Sequence, residues 1–246
     1  MEQRNHNNKS PQDKEHKSKK PTGNIGFLYR HPDKNEQFSK EDTVKLNQSN
    51  LDPINKSEGF NLILSYPGLY VGMGYSIDEK LENGMSFDYT TGLPYIPGSE
   101  VKGMLRSCFI QHSKDTLGIL NKFAELKTVD KKDLATLEYT IFGNPNNNDT
   151  PQGSVIFYDA FPNKGEIRPD NITPHKDELK NPIPIQTLKV ASGSVFQFQF
   201  YVPESLSFGS YKISRENLIE LFKNLILDWG IGAKTRLGYG TFQEAK

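Results

Sequence analysis

At 246 residues the chain is long enough to bury a real core, in one large domain or two small ones. Its 30 basic and 30 acidic side chains cancel, so the molecule as a whole has no pull on a polyanion, and nucleic-acid binding would have to come from local patches. The single cysteine, Cys108, excludes an internal disulfide and a cysteine zinc site, and no apolar run is long enough for a signal peptide or a bilayer span. A soluble, cytoplasmic protein with no membrane partner is the expectation, and the mean hydropathy of −0.65 points to solvated tails and loops.

Residues 1–22 carry six cations (Arg4, Lys9, Lys14, Lys17, Lys19, Lys20) against three acids and no apolar residue after Met1. Such a segment cannot recover the entropy cost of ordering, so it reads as a disordered basic tail, with an RNA-scanning arm as the alternative. From Phe60 the chain becomes apolar, and "NLILSY" predicts a strand over 61–66, turning at Pro67-Gly68. Val101, Met104, Leu105, Cys108 and Phe109 then recur on one helical stripe, with Ser99 at the N-cap position. Two short helices are expected near 114–127 and 131–142, and "SVIFYDAF" (154–161) reads as a buried strand. The polar, proline-rich segment that follows, to residue 181, reads as a long loop or insertion. In "SVFQFQFYV" (194–202), Phe196, Phe198 and Phe200 share one strand face, with Gln197 and Gln199 on the other. "SRENLIELFKNLILDWG" places Leu218, Ile219, Phe222, Leu225, Ile226 and Trp229 on one side of a helix, and "YGTFQE" is a final strand.

Stripped of insertions at about 113–152 and 162–190, residues 23–246 form a single α+β unit of order β-α-β-β-α-β. That is the ferredoxin-like (RRM-like) split βαβ arrangement, in which both helices cover one face of a four-stranded sheet.

Between the second helix and the last strand lies "DWGIGAKTRLGYGTF" (228–242). Gly230, Gly232, Gly238 and Gly240 permit positive φ and close backbone approach, while Lys234 and Arg236 place charge beside any anion the amides collect. Ala233 stands before the lysine and Thr235 where a third glycine would be needed, and a helix precedes the loop rather than a strand. A Walker A loop and a dinucleotide fingerprint are therefore both excluded. A glycine-rich turn with two solvated cations remains the plainer reading. Lys102 and Arg106 sit one turn apart beside the apolar stripe of the first helix, either as a cationic flank or as its solvated edge.

"GIGAKTRLGYGTF" resembles the C-terminal glycine-rich signature of the RAMP superfamily, the RNA-binding proteins of CRISPR systems, and "GLPYIPGSEVKGMLR" (92–106) is similar to that family's first-helix motif. Four blocks between them, "YPGLYVGMGY" (66–75), "FYDAFP" (157–162), "DNITPH" (170–175) and "NPIPIQTLKV" (181–190), resemble one subunit family of the type III-B Cmr effector complex. The resemblance implies a subunit on a guide RNA (crRNA), holding its 3′ portion and the guide–target RNA duplex. Its neighbours would be the repeated backbone subunit, the small helical subunit and a head RAMP subunit. It implies that the helix start and the glycine loop form one surface, with Ser99, Lys102, Arg106, Gly230, Gly232, Lys234, Thr235, Arg236, Gly238 and Gly240 as RNA-binding residues. Segment 162–190 would be the family's thumb or a plain surface loop.

No cofactor and no metal are expected: His6, His16, His31, His112 and His175 show no ligand spacing. Related backbone subunits cut target RNA through an aspartate in the loop before the first helix. Here that loop holds Asp78, Glu79, Glu82 and Asp88, in a setting that departs from the cutting pattern, so a non-catalytic subunit is expected. The alternative is an endoribonuclease acting through Asp88 or His31. Tyr66, Tyr70, Tyr75 and Tyr95, in loops or at strand ends, are candidates for base stacking.

Overall fold

The computed structural model describes residues 24–26, 43–47, 54–72, 85–144, 152–172 and 184–245. The tail, Tyr75, Asp78, Glu79, Glu82, His31 and His175 lie outside the described residues.

The main sheet is antiparallel and takes β1 (Val44–Asn47), β2 (Glu58–Leu64), β3 (Ile156–Phe157), β4 (Phe161–Ile172), β5 (Ile185–Val190), β6 (Val195–Tyr201) and β9 (Phe242–Glu244). A separate hairpin joins β7 (Ser205–Phe208) to β8 (Tyr211–Ser214). The helices are α1 (Gly98–Gln111), α2 (Ser113–Leu120), α3 (Lys131–Phe142) and α4 (Arg215–Trp229). The path β1-β4-β6-β2-β9 brings the expected first and last strands together at one end, an order compatible with the split βαβ arrangement.

The alternation in β6 places the core as expected. Phe196, Phe198 and Phe200 are buried, and they face Leu62, Phe60 and Glu58 of β2 in register. Burying each such ring contributes roughly 1.5–3 kcal/mol. The Phe200 and Phe222 rings approach to 5.2 Å and so seat α4 on this face. Helix α4 begins where its sequence provides a cap, the Ser214 hydroxyl accepting from the Asn217 amide at 3.2 Å. Its buried stripe includes Leu221, while Trp229 at its end is 36% exposed. Helix α3 opens on a capping box formed by Asp130 and Asp133.

Several expectations are corrected. The N-cap of α1 is Pro97, and Ser99 is an exposed residue of the first turn that makes no cap bond. The strand expected over 154–161 is the two-residue β3 followed by the start of β4, and Ile156 is 52% exposed because β3 is an edge strand. Within the segment expected as a loop or insertion over 162–190, residues 162–172 belong to the long β4 and 185–190 form β5, the two paired from Ile167↔Val190 to Ile172↔Ile185. Within the first insertion, by contrast, the two short helices expected near 114–127 and 131–142 are present, as α2 followed by a 3₁₀ turn at Ala124–Leu126 and as α3. The β7–β8 hairpin, unforeseen, buries Leu206, Phe208 and Ile213 and packs against α3.

Candidate nucleic-acid interface

The glycine loop leaves α4 at Gly230, the helix C-cap, whose φ of +67° turns the chain back. From there it is stitched to the segment that follows β2. Ile231 donates to the Gly240 carbonyl (2.9 Å), Ala233 to Tyr70 (3.0 Å) and Gly240 to Gly68 (2.8 Å). Gly240, at φ +68°, is forced: a methyl there would stand 1.9 Å from the Ile231 carbonyl oxygen. Gly232 likewise lies against the Tyr70 carbonyl, at 2.6 Å for a notional methyl. The glycines thus let the loop close on its own backbone and on residues 68–70, which is a role different from direct approach to a ligand.

The amides left free cluster around Lys234. Lys234 holds the left-handed conformation, φ +62° and ψ +32°, and leads into a single 3₁₀ turn at Thr235–Leu237. Main-chain N–H groups at such a change of hand turn toward a common point and make an anion-binding concavity. The amides of Gly232, Lys234, Thr235 and Arg236 make no hydrogen bond among the described residues. Neither the Lys234 nor the Arg236 side chain has an ion-pair partner among the described residues. Gly238, φ +89°, sits beside the Pro67 ring.

Helix α1 and this loop do meet. Glu100, Gly103, Met104, Ser107 and Cys108 line one wall of a cleft of about 430 Å³, and Gly230, Ile231, Gly232 and Thr235 line the other. His112 and Trp229 close one end, their rings stacked at 3.5 Å. The Cys108 thiol is buried, and burial pushes its pKa up to about 11, so it is an inert wall of the cleft. Burial also raises the pKa of the Glu100 carboxyl, which brings negative charge to the cleft when ionised.

The remaining α1 residues fall elsewhere. The face toward the loop carries Glu100, Gly103 and Ser107, so Lys102 and Arg106 lie around the helix from it. Lys102 has no partner among the described residues. Arg106 is engaged, its Nε donating to Glu138 at 2.6 Å and its Nη2 to the Gly143 carbonyl at 3.3 Å, which ties α1 to α3. The start of α1 offers fewer free amides than expected. Gly98 donates to the Asp159 carboxylate at 2.7 Å, and Glu100 and Val101 donate to the Pro97 carbonyl.

A polar cluster that sequence reasoning missed joins the loop to β4 and β5. Asp170 Oδ2 accepts from the Tyr70 hydroxyl (2.5 Å) and the Tyr239 hydroxyl (2.9 Å), and pairs with Lys189 Nζ (3.1 Å). Tyr70 also contacts Thr187, and its ring lies 4.5 Å from that of Tyr239. Burial works to raise the Asp170 pKa, but the hydrogen bonds from Tyr70, Lys189 and Tyr239 outweigh it and hold the carboxyl below its ordinary value. Burial, then Asp170, drive the Tyr70 phenol far up. Tyr70 is 1% exposed and so is removed from the stacking candidates, while Tyr95 stacks on Phe161 at 5.6 Å. The signal for the cluster was present only as fragments, in "YPGLY", "DNITPH" and "TLKV", with nothing local to say that they meet.

Asp88, the carboxylate weighed for metal-assisted cleavage, caps a turn: its Oδ2 accepts from the Thr91 amide (2.6 Å) and hydroxyl (2.7 Å). Among the described residues no three His, Cys, Asp or Glu side chains come together to hold a metal ion, and no helix is long and apolar enough to cross a membrane.

The family model of the RAMP superfamily matches residues 61–243, which span both α1 and the glycine loop. A CRISPR system CMR subunit, Cmr6 of Saccharolobus solfataricus, is 31% identical over 188 residues, 72% of this chain and 54% of its own. A chain in the cryo-EM structure of a type III-B Cmr-beta complex bound to cognate target RNA is 27% identical, with a TM-score of 0.50 over 76% of this chain and 58% of that one. Cmr6 from Pyrococcus furiosus is 22% identical, with a TM-score of 0.45 over 78% of this chain and 100% of that one. The chain therefore spans little more than half the length of the first two relatives.

Proposed function

The chain belongs to the RAMP superfamily, and from that premise we propose that it is a non-catalytic, RNA-binding subunit of a type III-B Cmr ribonucleoprotein. In this reading it corresponds to Cmr6, holds the 3′ portion of the guide RNA and the guide–target duplex, and sits among the backbone, small helical and head RAMP subunits in the cytoplasm. The observation that carries it is the glycine loop, where the amides of Gly232, Lys234, Thr235 and Arg236 make no hydrogen bond among the described residues and lie beside Lys234 and Arg236, whose side chains have no ion-pair partner among them. Contacts of this kind grip phosphates without reading bases, as a subunit serving many guides requires. In this reading Ser99 and Lys102 are secondary contacts on the flank of α1 away from the loop, while Gly230, Gly238 and Gly240 shape the loop rather than ligate RNA. Arg106 is left as the α1–α3 tie.

The test is RNA affinity against salt. Lys234→Ala, Arg236→Ala and Lys102→Ala should each flatten the log–log slope by roughly 0.7. Arg106→Ala should leave the slope alone and lower the melting temperature instead, since it strands the nearly buried Glu138. Unchanged slopes at both loop cations would remove the loop from the interface.

For catalysis, the Asp88 turn supports a structural carboxylate, and assembled complexes carrying Asp88→Ala should cut target RNA into the same ladder as wild type. Loss of one cut would overturn the non-catalytic reading.

A further inference from the structure

Tyr66 lies just beyond β2 and is 84% exposed, although the core takes in Tyr70 four residues later. Its side chain makes no hydrogen bond or ring contact among the described residues. Across from it, on the glycine loop, Leu237 is 69% exposed. The two segments are held side by side by the Gly240–Gly68 hydrogen bond (2.8 Å) and by the Ser65 amide donating to the Thr241 carbonyl (2.9 Å). A methyl on Gly238 would reach the Pro67 ring at 3.5 Å, so the neighbours of Leu237 and Tyr66 are in van der Waals range. An aromatic ring and a leucine side chain kept in water give the fold nothing. On the same loop, in the three positions before Leu237, stand Lys234 and Arg236, whose side chains have no ion-pair partner among the described residues.

We infer that Tyr66, with Leu237 beside it, is a stacking platform for an unpaired nucleobase, so that the glycine loop takes a single-stranded ribonucleotide rather than a duplex. A base has two π faces that an aromatic ring can cover whatever its identity, and cations nearby hold the adjoining phosphates. Inside an A-form duplex both faces of every base are covered by neighbouring pairs, and only an unstacked nucleotide has one to offer. Tyr70, Tyr95 and Tyr239 cannot serve, because each is already engaged within the protein. The inference rests on the reading that residues 230–240 bind an RNA backbone.

The experiment uses the full chain with three probes of equal length: oligouridylate, an abasic strand with the same phosphates, and a blunt RNA duplex. Tyr66→Ala should weaken oligouridylate binding by about 5- to 150-fold at an unchanged salt slope. It should leave the abasic strand and the duplex bound as in wild type, and Tyr66→Phe should restore full affinity for oligouridylate. Equal losses on the abasic and base-bearing strands, or no loss on either, overturn the platform. Lys234→Ala, measured on the same probes, reports the backbone reading separately. A normal Lys234 slope change with no Tyr66 effect overturns the platform alone, whereas no Lys234 effect overturns the reading beneath it.

Discussion

A methyl group on Gly240 would stand 1.9 Å from the Ile231 carbonyl oxygen at a φ of +68°, whereas one on Gly103, in the middle of α1, would meet nothing within 4 Å. Gly240→Ala should therefore destabilise the protein by at least about 1–3 kcal/mol, because both backbone conformation and contact resist it. Gly103→Ala should stabilise it by about 0.5–1 kcal/mol, the usual gain from replacing a mid-helix glycine. Urea midpoints of the two variants check this directly, and equal shifts would refute the assignment of Gly240 to the loop's own closure. The spacing of the glycines made positive φ legible in the sequence, since little else fits such conformations. What approached them was not legible. The partners are the carbonyls of Gly68, Tyr70 and Ile231, and the first two are brought in by pairing across more than a hundred residues. Asp159 escaped for the same reason, since nothing around it signals that it reaches the amide of Gly98.

At the scale of elements, β4–β5 is joined to the glycine loop by the carboxylate of Asp170, which serves Tyr70, Tyr239 and Lys189 together. Asp170→Asn should cost about 1–3 kcal/mol at neutral pH by leaving these donors poorly matched. The folded carboxyl is held below its ordinary pKa. Its contribution is therefore complete above the unfolded value and fades as pH falls through the folded one. The stability gap between wild type and variant, followed by thermal melting, should be widest near neutrality and close in acid. A gap independent of pH would show that Asp170 acts by packing alone. Helices α1 and α4 were readable because their apolar stripes repeat with helical period, and β6 because its phenylalanines alternate. Strand β4 was hidden by Pro162, Pro169 and its charges, and along it only Pro162 and Ile167 are buried. Its pairing with β1, β5 and β6 rests on main-chain hydrogen bonds, which leave little trace in side-chain pattern.

In the whole molecule, α1 and α4 pack against each other, and the loop after α4 returns beside the segment leaving β2. That return brings Gly230–Thr235 against Glu100–Cys108, with the loop's free amides beside the cleft between them. The order of elements was legible from periodicity, but the face of α1 that meets the loop was not, because it depends on how the helix is rotated on the sheet. Lys102 and Arg106, chosen for their charge, lie on the other flank, and none of the loop-facing positions, Glu100, Gly103, Met104, Ser107 and Cys108, is basic. Main-chain amides gripping RNA are the centre of the proposed interface, and amide hydrogen exchange resolved to single residues measures that grip most directly. In the free protein the amides of Gly232, Lys234, Thr235 and Arg236 should exchange fast, and those of Ile231, Ala233 and Gly240 slowly. Adding guide-length single-stranded RNA at saturation should slow the first group and leave the second unchanged. Unaltered exchange at Lys234, Thr235 and Arg236 with RNA bound would contradict the account.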